Sequence, residues 1–335
     1  MGAGLIGARH VERVLAHPKA TLAGVVDPSV IPAENITHFR AIDDVDTKVD
    51  GVIIATPTAL HAEHGIQAAE RGWHILMEKP VTETPAEADA LATSVSNADV
   101  ACLVGHHRRY HPAVQRLRDM VQNGEIGTPI TSSLIWAMRK PDSYFETNWR
   151  QTGGSPVMIN LVHDIDLLRF VLGEVTEMTA LGSNHIRAAD RTESGGAVLR
   201  FNSGAIATIS FADTAPSPWG FEAGMGENPN IGTTQQDMWW ITGTKGGIAF
   251  PSLTKWGGAQ DWSEPAQPTP TPVATAIPLD AQLDHFIDVI AGRAAPIIDI
   301  PDAAASLKVT RTLEDMLAPI AQPRHNASTK SGEYT

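Results

Sequence analysis

The chain has 335 residues, 42% hydrophobic and 19% charged, which excludes a globally disordered protein and allows two medium domains. A formal net charge of −13 argues against a nucleic-acid-binding protein, because such proteins need a basic surface to displace counterions from phosphates. No apolar run reaches the roughly 20 residues of a membrane helix, the start lacks a secretory signal pattern, and Cys102 is the single cysteine. We therefore expect a cytoplasmic protein with neither nucleic acid nor membrane as partner.

Short apolar runs alternate with helical patterns in the first third of the chain. Strands are predicted at residues 20–26, 51–55, 74–77 and 100–105. Helical spacing covers residues 60–71 and 85–96, and Thr84 fits the N-cap of the second helix. This alternation predicts an α/β Rossmann domain, a doubly wound parallel sheet, over residues 1–124.

Strand patterns follow one another closely after residue 125. They cover residues 130–138, 175–181, 196–201, 205–211, 238–242 and 246–250, with helices at 157–172, 280–291 and 302–316. We expect an α+β domain over residues 125–320, with a large, mostly antiparallel open sheet, and a polar tail over 321–335. Residues 214–236 are predicted to form a lid or binding loop, or else to be disordered, and 263–275 to form an extended connector.

The opening residues contain a dinucleotide-binding pattern. Gly2, Gly4 and Gly7 form G-x-G-x-x-G at the start of a helix, and Asp27 follows 20 residues beyond the last glycine. The glycines allow close approach of a pyrophosphate, and the acid binds a ribose diol. A glycine turn beside an unrelated surface acid is the alternative. A carboxylate repels a 2′-phosphate and residues 28–30 contain no arginine, so NAD is favoured over NADP. Leu5 and Ile6 complete the predicted cofactor-binding turn.

Such a glycine motif ordinarily follows a β-strand, yet Met1 is the single residue before it. The first, central strand of the sheet is therefore missing from this sequence. Its neighbours would face a gap of about 9–10 Å, twice the spacing between strands. We expect that the start is misassigned rather than that the chain is a truncated form.

Two clusters carry candidate catalytic groups. Lys79 ends the strand 74–77, at the sheet edge where ligands bind, and can hydrogen-bond a substrate hydroxyl during hydride transfer. A solvated surface lysine is the alternative. On the predicted helix 157–172, Asn160, His163 and Asp166 are three residues apart and share a face. A histidine oriented by a carboxylate suits acid/base work, whereas a helix-packing histidine is the alternative.

These segments, in their order along the chain, resemble the glucose–fructose oxidoreductase / inositol dehydrogenase / MocA (Gfo/Idh/MocA) family. The resemblance covers nearly the whole chain and is carried by Gly2–Gly7, Ala55-Thr56-Pro57 with His61, Glu78-Lys79-Pro80, Arg108-Arg109-Tyr110, Gly153-Gly154 and 163–166. It implies NAD(P)-dependent oxidation of a hydroxyl or reduction of a ketone on a sugar, polyol or related hydroxy acid. It also implies a homodimer or homotetramer formed through the open sheet.

The resemblance implies roles for individual residues. Lys79 would be the catalytic lysine, His163 the acid/base histidine, and Pro80 would follow a cis peptide bond. Many family members carry an aspartate four residues before this histidine, where the present sequence has Ile159, and Asn160 is the nearest polar residue. The residues implied to line the cofactor cleft are Thr56, Pro57, His61, Glu78 and Lys79.

Substrate contacts are expected from cationic, aromatic and polar side chains near the nicotinamide. The predicted substrate-binding residues are Lys79, Arg109, Trp149, Arg150, Asn160 and His163. Arg139 and Lys140 end another predicted strand and are either further contacts or solvated. No zinc-ligand spacing is present, so we expect no metal.

Two other functions remain open on the sequence alone. One is a non-catalytic NAD- and sugar-sensing regulator of the same fold. The other is an NAD-dependent glycosidase, in which transient oxidation activates elimination without net formation of NADH.

Overall fold

The structure is a computed structural model that describes residues 1–146, 155–228, 230–274 and 276–317. The predicted substrate residues Trp149 and Arg150, Gly153-Gly154 and the predicted tail lie outside the described residues.

The first half is the predicted Rossmann-type α/β unit. Strands β3, β4 and β5 form a parallel sheet, and β1 pairs in parallel with β2 as a separate two-stranded sheet. The capping box of α3 is formed by Thr84, which accepts a hydrogen bond from the amide of Glu87, as predicted for an N-cap. The strands are β1 Val25–Val26, β2 His38–Phe39, β3 Gly51–Ile54, β4 His74–Met77 and β5 Cys102–Val104. The helices are α1 Leu5–Ala16, α2 His61–Glu70, α3 Pro85–Asn97 and α4 Pro112–Gln122.

A gap separates β1 from β3, at the place where the sequence predicts that a strand is missing. Met1 lies at one end of this gap. The amino group of Met1 donates to the carbonyl of Ile53 at 2.7 Å, and the carbonyl of Met1 accepts from the amide of Ala55 at 2.8 Å. Behind Met1 lies a cavity of about 520 Å³ lined by Val25, Val52 and other apolar side chains. The prediction of a full strand over residues 20–26 is wrong in length, because β1 has a pairing partner on one side only.

The second half is built on a nine-stranded mixed sheet. Its strand order is β14-β13-β12-β11-β6-β9-β8-β7, with β10 paired beside the end of β6; β6 and β9 are parallel and the other pairs antiparallel. The strands are β6 Pro129–Met138, β7 Val175–Ser183, β8 Ser194–Phe201, β9 Ile206–Ala212, β10 Pro216–Trp219, β11 Trp239–Gly243, β12 Gly246–Phe250, β13 Thr254–Gly257 and β14 Gln267–Thr269. The helices are α5 Val162–Leu172, α6 Phe221–Met225, α7 Pro278–Ile290 and α8 Ile300–Leu317.

Three segments differ from their predicted form. Residues 214–236, predicted as a loop, contain β10 and α6, because the backbone of β10 pairs with the end of β6. Residues 263–275 contain β14, which extends the sheet beside β13. The predicted helix 157–172 begins with a π-helical turn, Val157–Leu161, ahead of α5.

The described residues form two hydrophobic cores, and the chain crosses between them three times. The first core includes Phe286 from α7 and Ala303 from the start of α8, although both helices come late in the chain. The second core lies beneath the large sheet and includes Leu117 of α4 together with Leu313 of α8. Helix α8 therefore packs on both halves. Among the described helices, none is both long and apolar enough to cross a membrane.

Candidate active site

The glycine motif forms a tight turn in which two positions admit only glycine. Gly2 has a φ of +81°, and a Cβ there would lie 2.5 Å from the carbonyl oxygen of Ala55. A Cβ on Gly7 would lie 2.1 Å from the carbonyl oxygen of Gly2. At Gly4, no atom of the described residues lies within 4 Å of the Cβ position, and this N-cap of α1 has no side-chain cap. The helix amides therefore face space that can hold a pyrophosphate. The first two residues of α1 are Leu5 and Ile6.

Asp27 follows β1 directly and contacts the glycine motif. Its Oδ1 accepts hydrogen bonds of 2.8 Å from the amides of Ser29 and Val30, and its Oδ2 accepts one of 2.8 Å from Ala3. Burial would raise the pKa of this carboxyl, but the three amide hydrogen bonds outweigh burial and hold the pKa below its ordinary value. Asp27 is thus an anion beside the predicted pyrophosphate site.

The loops after β3 and β4 are joined through His61. Thr56 and Pro57 follow β3, and His61 begins α2. The ring nitrogens of His61 lie 2.9 Å from the carbonyl oxygen of Thr56 and 2.8 Å from that of Pro80. These residues stand at the carboxyl ends of parallel strands, where open α/β sheets bind their ligands.

Lys79 is the second residue after β4, and the Lys79–Pro80 peptide bond is cis, as the resemblance implies. Glu78, the residue before Lys79, is buried, and its Oε1 lies 2.8 Å from Nε2 of His10 on α1. Burial lowers the pKa of Lys79 below its ordinary value; the Glu78 carboxylate opposes this shift and Arg108 adds to it. A lowered pKa makes the unprotonated amine, the form that can accept a proton from a substrate hydroxyl, easier to reach.

His163 lies in the first turn of α5, close to two other histidines. Its ring centroid is 5.6 Å from that of His107 and 6.2 Å from that of His106. Burial, followed by the positive charges of Lys79 and Arg108, holds the pKa of His163 well below its ordinary value. Its Nδ1 has no hydrogen-bond partner among the described residues. His163 is therefore a neutral, buried imidazole close enough to Lys79 for the lysine charge to lower its pKa.

Asp166 does not orient His163, contrary to the sequence prediction. Its carboxylate accepts hydrogen bonds of 2.6 and 2.8 Å from Arg109 and one of 2.7 Å from Ser306. The imidazole nearest to it is that of His106, at 3.4 Å. The reason is electrostatic: a buried guanidinium forms a bidentate, charge-assisted pair with a carboxylate, which a neutral imidazole cannot match.

Arg109, predicted to bind substrate, is instead committed to the interface between the two halves. It is 2% exposed, and besides Asp166 its Nη1 donates to Asp302 on α8. Its neighbour Arg108 is the arginine whose charge acts on both Lys79 and His163.

Three acidic side chains surround Arg108, and two of them were missed in the sequence. Arg108 donates to Glu227 at 2.9 and 3.1 Å and to Asp164 at 3.2 Å, and it lies 2.9 Å from Glu222. Glu227 also lies 2.6 Å from Nε2 of His107. Burial would raise the pKa of Glu227, but Arg108 and His107 hold it well below its ordinary value. Burial raises the pKa of Asp164 to about 7, against the effect of Arg108.

Glu222 and Glu227 both come from the segment 214–236 that was predicted as a lid or binding loop. Glu222 accepts hydrogen bonds from Nε1 of Trp136 at 3.0 Å and from Nδ2 of Asn160 at 3.1 Å. Asn160 Oδ1 has no hydrogen-bond partner among the described residues. Ile159, at the family's aspartate position, lies in the π-helical turn. The glycine- and proline-rich composition indicated that this segment is a loop near the site. Because its apolar residues show no periodicity, the sequence could not indicate which of its acidic side chains point into the protein.

Comparisons with known proteins agree with this geometry. Residues 1–106 match the oxidoreductase family with an NAD-binding Rossmann fold, and residues 114–249 match the GFO/IDH/MocA C-terminal domain. The chain is 30% identical to the uncharacterized oxidoreductase YrbE of Bacillus subtilis over 62% of this chain and 64% of the relative. It is 29% identical to scyllo-inositol 2-dehydrogenase (NAD(+)) of the same bacterium, over 64% of this chain and 67% of that enzyme.

The fold is also found among solved structures. The WlbA dehydrogenase of Bordetella pertussis, solved in complex with NADH and UDP-GlcNAcA, superimposes with a TM-score of 0.72 at 21% identity and covers 94% of both chains. The sequence matches and the shared fold together settle the relationship. The chain belongs to the Gfo/Idh/MocA family of oxidoreductases and carries its NAD-binding Rossmann domain.

Proposed function

We propose that the protein is an NAD-dependent dehydrogenase or reductase that interconverts a hydroxyl and a ketone on a sugar, polyol or related hydroxy acid. The observation that carries this proposal is the pairing of Lys79 with His163. Both have lowered pKa values, and Lys79 stands at the end of β4, at the same sheet edge as the glycine motif.

The residues present can hold the cofactor. The open amides at Gly4 would bind the pyrophosphate, Asp27 the ribose, and the loops that carry Thr56 and Pro80 would border the nicotinamide. When bound, the nicotinamide accepts or returns the hydride of the carbinol carbon.

Proton handling then falls to this chain's own side chains. During oxidation, the neutral amine of Lys79 accepts the proton of the substrate hydroxyl as the carbonyl forms, while neutral His163 accepts a hydrogen bond from a neighbouring hydroxyl and orients the ring. In the reverse direction the ammonium of Lys79 returns the proton to the new alkoxide oxygen. The lowered pKa of Lys79 suits both directions.

NAD is the proposed cofactor in preference to NADP. Asp27 is a carboxylate held at the ribose position, and a 2′-phosphate placed there would face a like charge. Polyols are supported as substrates by the name of the relative scyllo-inositol 2-dehydrogenase (NAD(+)).

The test compares the wild-type chain with Lys79→Ala and, as a matched control, Lys48→Ala, whose side chain is 91% exposed. We expect Lys79→Ala to lower turnover of a panel of inositols, sugars and sugar acids by about 10²–10⁴-fold. NADH binding, followed by fluorescence titration, should stay within about threefold of wild type. Lys48→Ala should match wild type in both measurements.

Each contrary result has a clear meaning. Full turnover by Lys79→Ala would refute the role of this lysine. A wild-type chain that binds NADH but transfers no hydride to or from any compound of the panel would instead favour the sensing regulator. Glycoside cleavage without net NADH formation would favour the glycosidase.

A further inference from the structure

Lys140 is a buried cation whose ammonium group is not paired with any described acceptor. The residue is 8% exposed, and its Nζ has no hydrogen-bond partner among the described residues. Two aromatic rings flank it, with Nζ 5.4 Å from the centroid of Trp136 and 5.1 Å from that of Tyr144. Aromatic faces attract a cation but do not accept the three hydrogen bonds that an ammonium can donate. Burying such a group is unfavourable unless an acceptor arrives.

The nearest carboxylate is already shared by two arginines. Asp213 accepts hydrogen bonds from Arg187 and, at 3.0 Å, from Arg191. The hydrogen bond between Lys140 and Asp213 is a backbone one: the Lys140 amide donates to the Asp213 carbonyl at 2.9 Å. Lys140 follows β6 and Asp213 follows β9, whereas Arg187 and Arg191 come from the segment between β7 and β8. Arg187 also lies 3.5 Å from Asp142.

A short chain of contacts connects Lys140 to the catalytic pair. The face of Trp136 meets Lys140, while its indole N–H donates to Glu222 at 3.0 Å. Glu222 lies 2.9 Å from Arg108, the arginine whose charge lowers the pKa values of Lys79 and His163. Lys140 is therefore linked to Lys79 and His163 through Trp136, Glu222 and Arg108.

Unpaired acceptors lie between these two ends. Asn160 uses its Nδ2 on Glu222 and keeps Oδ1 free of described partners, and Asp164 has a buried Oδ2 without one. These oxygens suit the hydroxyl groups of a polyhydroxylated ligand, whereas the ammonium suits an anion.

We propose that Lys140 is the carboxylate-binding residue of the substrate site, so that the preferred substrate is a sugar acid rather than a neutral sugar or polyol. The assignment rests on the proposed function, which places the reacting carbinol at Lys79 and His163. The ammonium of Lys140 carries one positive charge, which matches the single negative charge of a carboxylate, and the bond formed is a charge-assisted hydrogen bond.

The experiment measures equilibrium binding by calorimetry to the full chain saturated with NADH, which cannot accept a hydride from the probes. The probes are matched pairs that differ in the acid group: D-glucuronate with D-glucose, D-galacturonate with D-galactose, and D-gluconate with D-glucitol. The variants are Lys140→Met, which keeps the length and removes the charge, Lys140→Gln as a polar second variant, and Lys140→Arg, which retains the charge. Lys308→Met on the exposed face of α8 is the control.

Wild type and Lys308→Met should bind at least one acid about tenfold or more tightly than its neutral counterpart. Lys140→Met and Lys140→Gln should bring that ratio to about one, and Lys140→Arg should retain most of it. The proposal is overturned if no acid is preferred by wild type, or if the preference survives both neutralising substitutions.

The two proposals fail separately. NADH formation by the wild type tests the proposed function, and the binding ratio tests the subsite. Acid-selective binding without hydride transfer would support the carboxylate subsite and refute the proposed dehydrogenase activity. Hydride transfer without a preference for acids would support the dehydrogenase activity and refute the subsite.

Discussion

The carboxylate of Asp27 accepts hydrogen bonds from the turn after β1 and from the glycine motif. Three backbone amides hold it in place, so its position does not depend on a bound ligand. A carboxylate has about four lone-pair sites, and three are used, which leaves room for a ribose hydroxyl. The same negative charge disfavours a phosphate at that hydroxyl.

Replacing this charge should change the cofactor preference. Asp27→Asn is expected to weaken NADH binding about tenfold and to narrow the ratio between the dissociation constants of NADPH and NADH by at least about tenfold, because the repulsion of the 2′-phosphate is removed. Fluorescence titration with both nucleotides measures this ratio. Asp46→Asn, at an exposed position, is the matched control. An unchanged ratio in Asp27→Asn would mean that another residue contacts the ribose.

At the scale of elements, the segment of β10 and α6 is held over the site by backbone pairing with β6, by the buried ring of Phe221 and by polar contacts of two glutamates. Glu227 joins Arg108 and His107, and Glu222 joins Arg108 and Trp136. Helix α6 has five residues, too few to be stable by itself. Its position therefore depends on these tertiary contacts.

Removing the charge of Glu227 should loosen this segment. In Glu227→Gln the charge-assisted pair with Arg108 is lost, and we expect amide hydrogen exchange over residues 216–227 to accelerate about tenfold or more. Mass spectrometry of the exchanged peptides measures the change, with Glu264→Gln in an exposed turn as the control. Unaltered exchange in Glu227→Gln would show that the apolar contacts of Phe221 hold the segment instead.

At the scale of the whole molecule, buried ion pairs join the two halves. Arg109 belongs to the first half and binds Asp166 on α5 and Asp302 on α8. Asp302 also lies 2.9 Å from Arg169. Because α8 contributes to both hydrophobic cores, this network stands where the cores meet.

Breaking the network from the arginine side should destabilise the protein. Arg109→Met leaves Asp166 buried beside a neutral His106, and we expect the free energy of unfolding to fall by about 3–5 kcal/mol. Arg116→Met, which removes an arginine that is 38% exposed and pairs with Glu125, should cost less than about 1 kcal/mol. Urea denaturation followed by circular dichroism compares the two variants. Equal losses would contradict a special role for Arg109.

The sequence was informative where short-range rules operate. The glycine turn, the Thr84 cap, strands such as β4 and β6, and the place of Lys79 at a strand end were predicted and are present. The predictions that failed depend on a partner strand or a long-range pair. Strand β1 is shorter than its apolar pattern, and Asp166 binds Arg109 rather than His163.

What the sequence by itself determined is therefore the order of elements, the cofactor-binding turn and the family, because steric limits on glycine and the periodicity of apolar residues act within a few positions. What only the tertiary structure decided is which charges meet. Glu227 reaches Arg108 across 119 residues, and Asp166 reaches Arg109 across 57. Local sequence patterns do not predict such pairs. The partner of a buried charge is the opposite charge buried in the same low-dielectric site, whatever its distance along the sequence.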